Sequence, residues 1–143
     1  MASGSTSGKC ILIVEDNPLN MKLFSAMVGA QGYGVLQAED GLRGVDLAHQ
    51  EHPDLIIMDV DLPGMSGIEA TRILKRDPAT RDIPIVITTA YAYDDEIQAS
   101  GCDGYMAKPI TVADFVELIE TLMTQVPQPR YVRHMIEEPI GAD

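Results

Sequence analysis

Polar residues close four of the chain's short apolar runs. Glu15 and Asp16 follow CILIV (10–14), and Asp59 ends LIIMD (55–59). Thr88 and Thr89 lie at the end of IPIVITTA (83–90), and Lys108 follows GYMA (104–107). Three carboxylates brought into one pocket repel each other, so either one holds a raised pKa or a cation neutralises them. Oxygen donors without a nearby histidine or cysteine point to Mg²⁺, which takes one or two carboxylates and keeps several waters. Such a cation beside a carboxylate and a lysine is equipment for handling a phosphoryl group, because cation and ammonium offset charge on the phosphate oxygens. A carboxylate can then serve as nucleophile and form an acyl phosphate. Taken singly, each residue has a plainer role. Acids after strands often cap the next helix, Thr89 suits a strand as a β-branched residue, and a lone lysine is usually solvated.

Whether these residues meet depends on the elements that carry them. Five short apolar runs (CILIV, YGVLQA, LIIMD, IPIVITTA and GYMA) alternate with segments of helical length. In the first helix Asn17 suits the N-cap, Pro18 the first turn and Gly32 the stop, with Leu19, Leu23, Phe24, Met27 and Val28 at helical spacing. GLRGVDLAHQEH, IEATRILKR and DDEIQAS are the next three helices, the last of them short. VADFVELIETLMTQV closes the series with Val112, Phe115, Val116, Ile119, Leu122, Met123 and Val126 on one expected face. Strands apolar throughout and separated by helices imply a parallel sheet covered on both sides, so the expected fold is α/β, a doubly wound five-stranded parallel sheet. The functional crevice of such a sheet lies beyond the carboxyl ends of its strands. That rule brings Glu15, Asp16, Asp59, Thr89 and Lys108 to one rim.

The totals agree with a single domain. The chain has 143 residues, 45% of them hydrophobic, and a net charge of −12. So acidic a surface repels phosphate backbones, which argues against direct nucleic-acid binding. No apolar run is long enough to span a membrane. Two cysteines, Cys10 and Cys102, are too few for a disulfide scaffold and suit a reduced, cytoplasmic setting. The composition divides the chain into a flexible N-terminal segment (1–8), a domain (9–126) and a C-terminal tail (127–143) set off by PQP.

ILIVEDNPLNMKLF, PDLIIMDVDLPGMSG, VITTAYA and GCDGYMAKPI, in that order, resemble the receiver domain of two-component response regulators, over about residues 9 to 126. EDNPLNMKLF with AQGY and LQ is most similar to single-domain regulators of the DivK type. The resemblance implies a flavodoxin-like fold and assigns roles. Asp59 is then the phosphoacceptor, and Glu15 and Asp16 are the acidic pair at Mg²⁺, Asp16 directly and Glu15 through water. The backbone carbonyl of Asp61 is a further ligand. Lys108 contacts the phosphoryl group, Thr89 is the switch hydroxyl and Tyr105 the switch aromatic. The Lys108–Pro109 bond is expected to be cis, and Gly64 and Gly67 to let the loop after Asp59 turn tightly. The implied partners are a histidine kinase or histidine phosphotransfer protein as donor and a downstream protein as target, with no metabolite turned over.

The sequence departs from this pattern in one place. Thr89 and Lys108 are 19 positions apart, and in similar regulators the interval is about three longer, roughly one helical turn. The shortening falls in or before DDEIQAS, which predicts a short or irregular fourth helix anchored by Ile97, with a mobile stretch before it. Tyr91 and Asp61, two residues beyond Thr89 and Asp59, are positions at which the lifetime of an acyl phosphate would be tuned. The tail, with Tyr131, Val132 and Ile136, could pack across the gap. Two other readings stay open. LIIMDVDLP also resembles the DxD signature of aspartate-nucleophile phosphohydrolases of the haloacid dehalogenase class, and a receiver-shaped interaction module need not be phosphorylated at all.

Overall fold

The computed structural model describes residues 8–90 and 94–124. Among them, strands β1 Cys10–Val14, β2 Gly34–Ala38, β3 Leu55–Asp59, β4 Ile85–Thr89 and β5 Gly104–Ala107 alternate with helices α1 Pro18–Ala30, α2 Gly41–Glu51, α3 Gly67–Arg76, α4 Asp95–Ala99 and α5 Val112–Thr124. The strands form one sheet in the order β2-β1-β3-β4-β5, every pair parallel. This is the doubly wound α/β fold expected from the alternation, with the change of winding direction between β1 and β3. The expectations for the N-terminal segment, for Tyr91 and for the tail fall outside the described residues.

Each helix begins where a short polar side chain can accept from an orphan amide. Asn17 Oδ1 accepts from Asn20 N, Asp40 Oδ1 from Arg43 N, Ser66 Oγ from Glu69 N and Asp94 Oδ1 from Ile97 N. Two apolar cores result. One joins Ile11, Ile13, Ile57 and Val86 to α1 and α5. The other joins Leu12, Val14, Ile56 and Met58 to α2 and α3. In β1 and β3 alternate residues thus serve opposite cores. Phe24 of α1 and Phe115 of α5 stack with ring centroids 5.6 Å apart and planes 9° apart, which closes the first face.

Two helical faces differ from the expected ones. In α1 the buried residues are Met21, Phe24 and Val28, while Leu19 and Leu23 are 72% and 51% exposed. The 21-24-28 stripe carries the buried contacts because docking Phe24 on Phe115 turns the helix, and Leu19 and Leu23 rotate outward. In α5, Val112 is exposed and Leu118 is fully buried, so the inward stripe starts at Phe115. The fourth helix is short as expected: five residues, with Ile97 as its buried side chain. No helix among the described residues is long and apolar enough to cross a membrane.

Candidate functional site

The carboxyl ends of β1, β3, β4 and β5 lie at one rim because the strands are parallel and in register. Val14 pairs with Met58, Asp59 with Thr88, and Thr88 with Met106. Glu15 and Asp59, the next residues after a paired couple, therefore stand side by side. One oxygen from each of Glu15, Asp16 and Asp59 lies within 4.8 Å of the others. Glu15 and Asp59 are 2% and 3% exposed, whereas Asp16 is exposed. A cleft of about 410 Å³ beside them is lined by Glu15, Asp16, Lys22 and Glu39, among others.

Lys108 reaches this group from β5. Its backbone N–H donates to Thr89 O at 2.7 Å, and its Nζ donates to Asp59 Oδ1 at 3.2 Å. The same Nζ is 3.6 Å from Glu15 Oε1, an ionic contact too long for a good hydrogen bond. Glu15 Oε1 is buried and has no hydrogen-bond partner among the described residues, while Glu15 Oε2 accepts from Asn17 N. Burial raises the Asp59 pKa to about 6, with the Glu15 charge adding to the rise and Lys108 opposing it. One ammonium thus leaves this crowded oxygen-only set under-neutralised. A hard divalent cation fits what is missing: an orphaned buried carboxylate oxygen, an exposed acid beside it and no soft donor in the group.

The loop after Asp59 is held by its backbone. Val60 N donates to Thr88 O, and Gly67 N donates to Val60 O. Gly64 has φ +74°, where glycine is strain-free. Gly67 is needed for a different reason from the tight turn expected of it. A Cβ there would lie 1.9 Å from the carbonyl oxygen of Asp59, so α3 can start against the end of β3 only without a side chain. Asp61 is exposed on this loop, and its charge adds to those raising the Asp59 pKa. The Lys108–Pro109 bond is cis.

Thr89 and Tyr105 are buried, 1% and 4% exposed. Ile87 pairs with Tyr105, and Thr89 lies two residues beyond Ile87, so Thr89 and Tyr105 share a sheet face. Of the residues expected at the rim, Glu15, Asp16, Asp59 and Lys108 are brought together, and Thr89 ends β4 beside them in the sheet. The sequence places Thr88 beside Thr89 at this strand end but gives it no role. It is fully buried, and its hydroxyl has no hydrogen-bond partner among the described residues. Only the β3–β4 register distinguishes it from Thr89.

The response regulator receiver domain family matches residues 11–120. The chain is 45% identical over 118 residues to the polar-differentiation response regulator DivK of Brucella ovis, covering 80% of this chain and 96% of that protein. Its identity to the DivK of Brucella anthropi is 44% over the same length. Among solved structures it is similar to the receiver domain of the sensor histidine kinase PA1611 from Pseudomonas aeruginosa PAO1, which carries a magnesium ion coordinated in its active-site cleft. The TM-score is 0.77 at 33% identity, over 82% of this chain and 99% of that one. A receiver domain of a histidine kinase from Syntrophus aciditrophicus gives 0.76 at 28%, over 81% and 90%.

Proposed function

Because this chain belongs to the response regulator receiver family, we propose that Asp59 is its phosphoacceptor, with Lys108 and Thr89 handling the phosphoryl group. The observation that carries this reading is the 3.2 Å contact between Lys108 Nζ and Asp59 Oδ1, made where three carboxylates meet at the switch point of the sheet. Glu15, Asp16, Asp59 and the backbone carbonyl of Asp61 are the residues that would hold Mg²⁺. Bound there, the ion supplies positive charge for the oxygens of the transferring group.

Asp59, ionised above its pKa of about 6, attacks the phosphorus of a phosphohistidine on a kinase or phosphotransfer protein. The Asp59 Oδ–P bond forms, the N–P bond breaks and the imidazole leaves. Lys108 follows the negative charge outward to a phosphoryl oxygen. Thr89 donates to another, and Tyr105 fills the space that Thr89 vacates. The surface around α4 and β5 changes, and a downstream protein reads it. The domain acts in the cytoplasm and promotes only its own modification, so it is not a turnover enzyme.

Incubation with acetyl phosphate and Mg²⁺ tests the reading. The protein is expected to gain one phosphoryl group by intact mass. Asp59→Asn should abolish the gain, and chelation of the metal should slow it by roughly tenfold or more. Labelling that survives Asp59→Asn, or no labelling of the wild type, overturns the assignment. Repeated turnover of a phosphomonoester would favour the phosphohydrolase reading instead.

A further inference from the structure

We propose that Thr88 is a positioning residue for the phosphoryl reaction, its hydroxyl held beside Asp59 to stabilise the carboxylate that hydrolysis of the acyl phosphate releases. The inference rests on the reading of Asp59 as phosphoacceptor. It begins with an unpartnered hydroxyl. Thr88 is 0% exposed and its Oγ1 has no hydrogen-bond partner among the described residues. A desolvated hydroxyl without a partner destabilises the fold. Valine would fill nearly the same space without that cost, so packing alone does not call for threonine here.

Register says what the hydroxyl is for. Aligned residues of parallel strands present their side chains to the same face. Asp59 is aligned with Thr88, and Thr88 with Met106; Lys108 lies two residues beyond Met106. Glu15, one residue past the Val14–Met58 pair, lies beside Asp59. Glu15, Asp59 and Thr88 therefore form one row, and the root of Lys108 lies one step beyond it on the same face. This is the face packed by α1 and α5, where Val86, two residues before Thr88, belongs to the same buried cluster as Phe115 and Leu118. Thr89 has the opposite parity and belongs to the Tyr105 face. The two adjacent threonines thus serve different sides of the sheet.

The row contains two orphan oxygens, Glu15 Oε1 and Thr88 Oγ1, on either side of Asp59, whose Oδ1 is held by Lys108. Glu15 Oε1 belongs to the cation reading. Thr88 Oγ1 can also donate. Adjacent strands are about 4.8 Å apart, a gap that one rotamer change at Thr88 can bridge. In the unmodified protein Lys108 occupies Asp59 Oδ1. Once Lys108 has followed the phosphoryl group, Thr88 is the neighbour on that face with a proton to give. In hydrolysis, water attacks phosphorus, the bond between phosphorus and Asp59 Oδ breaks, and the electron pair returns to the carboxylate as inorganic phosphate leaves. A hydrogen bond from Thr88 to that carboxylate stabilises the leaving group and shortens the life of the phosphorylated form.

The test compares wild type, Thr88→Val, Thr88→Ala, Thr88→Ser and Thr71→Val. Thr71 on α3 is equally buried with an equally unpartnered hydroxyl, which makes it the control for packing. Each protein is labelled with acetyl phosphate and Mg²⁺, the donor is removed, and loss of the phosphoryl group is followed by intact mass. Thr88→Val should unfold at the same or a higher temperature than wild type and keep its label at least about threefold longer. Thr88→Ala should share the longer lifetime. Thr88→Ser should return to within about twofold of wild type, and Thr71→Val should match wild type. The half-saturating acetyl phosphate concentration should not move, since the hydroxyl acts after the donor has left. Equal decay of wild type and Thr88→Val overturns the proposal, as does lengthening by Thr88→Ser or by Thr71→Val. Failure of the wild type to label at all would instead overturn the reading of Asp59, and this proposal with it.

Discussion

At the scale of single residues, the site is a problem of charge confined in a small dry volume. Asp59 is almost fully buried, and burial with the Glu15 charge raises its pKa to about 6. An unfolded chain loses that proton near pH 3.9. Below about pH 4 both states hold the proton and nothing is lost. As pH rises from about 4 to about 6, the unfolded state ionises first and the fold loses stability, by at most about 3 kcal/mol for a shift near two units. Asp59→Asn removes the titration. Without metal, the variant should be more stable than wild type by about 1–3 kcal/mol at pH 7.5, and the gap should close below about pH 4. Urea unfolding in chelator at both pH values measures it; a gap of constant size would show that Asp59 is not its source.

At the scale of elements, polar clamps hold the rim opposite the site. Lys75 of α3 donates from Nζ to the carbonyls of Arg81 and Ile83 at 3.0 and 2.7 Å, and pairs with Asp103 Oδ2 at 2.7 Å. Asp103 also accepts from Ile85 N. One carboxylate thus joins α3 to the start of β4 and to the turn before β5. Asp103→Ala should cost on the order of 3 kcal/mol, since it strands an amide and a mostly buried ammonium, and Asp103→Asn should cost less because Ile85 keeps an acceptor. Denaturant midpoints, with hydrogen exchange at the Ile85 amide, check both. The strands were legible in the sequence because central parallel strands are apolar on both faces. The site was legible because its residues are strand ends. The inward stripe of α1 was not, because Leu19 and Leu23 are as apolar as Met21 and only the docking of Phe24 decides between them. Nor was Thr88, whose neighbour Asp59 is set by strand register and not by spacing along the chain.

At the scale of the whole molecule, a net charge of −12 makes the fold repel itself. The Debye length falls from about 30 Å at 0.01 M salt to about 8 Å at 0.15 M. The melting temperature should therefore rise by about 2–5 °C between those concentrations of NaCl. At matched ionic strength MgCl₂ should raise it further in wild type, and Asp16→Asn should lose that extra increment while keeping the NaCl response. Equal effects of the two salts on wild type would leave the acid group without a role in cation binding. The stack of Phe24 on Phe115 bears on synthesis. A chain leaves the ribosome from its N-terminus, and the ring that covers Phe24 lies 91 residues later. Until α5 emerges, one side of the sheet has only α1 over it, with the apolar side chains Ile13, Ile57 and Val86 waiting for their cover. The nascent domain should therefore become resistant to protease abruptly, when α5 clears the exit tunnel, and not strand by strand.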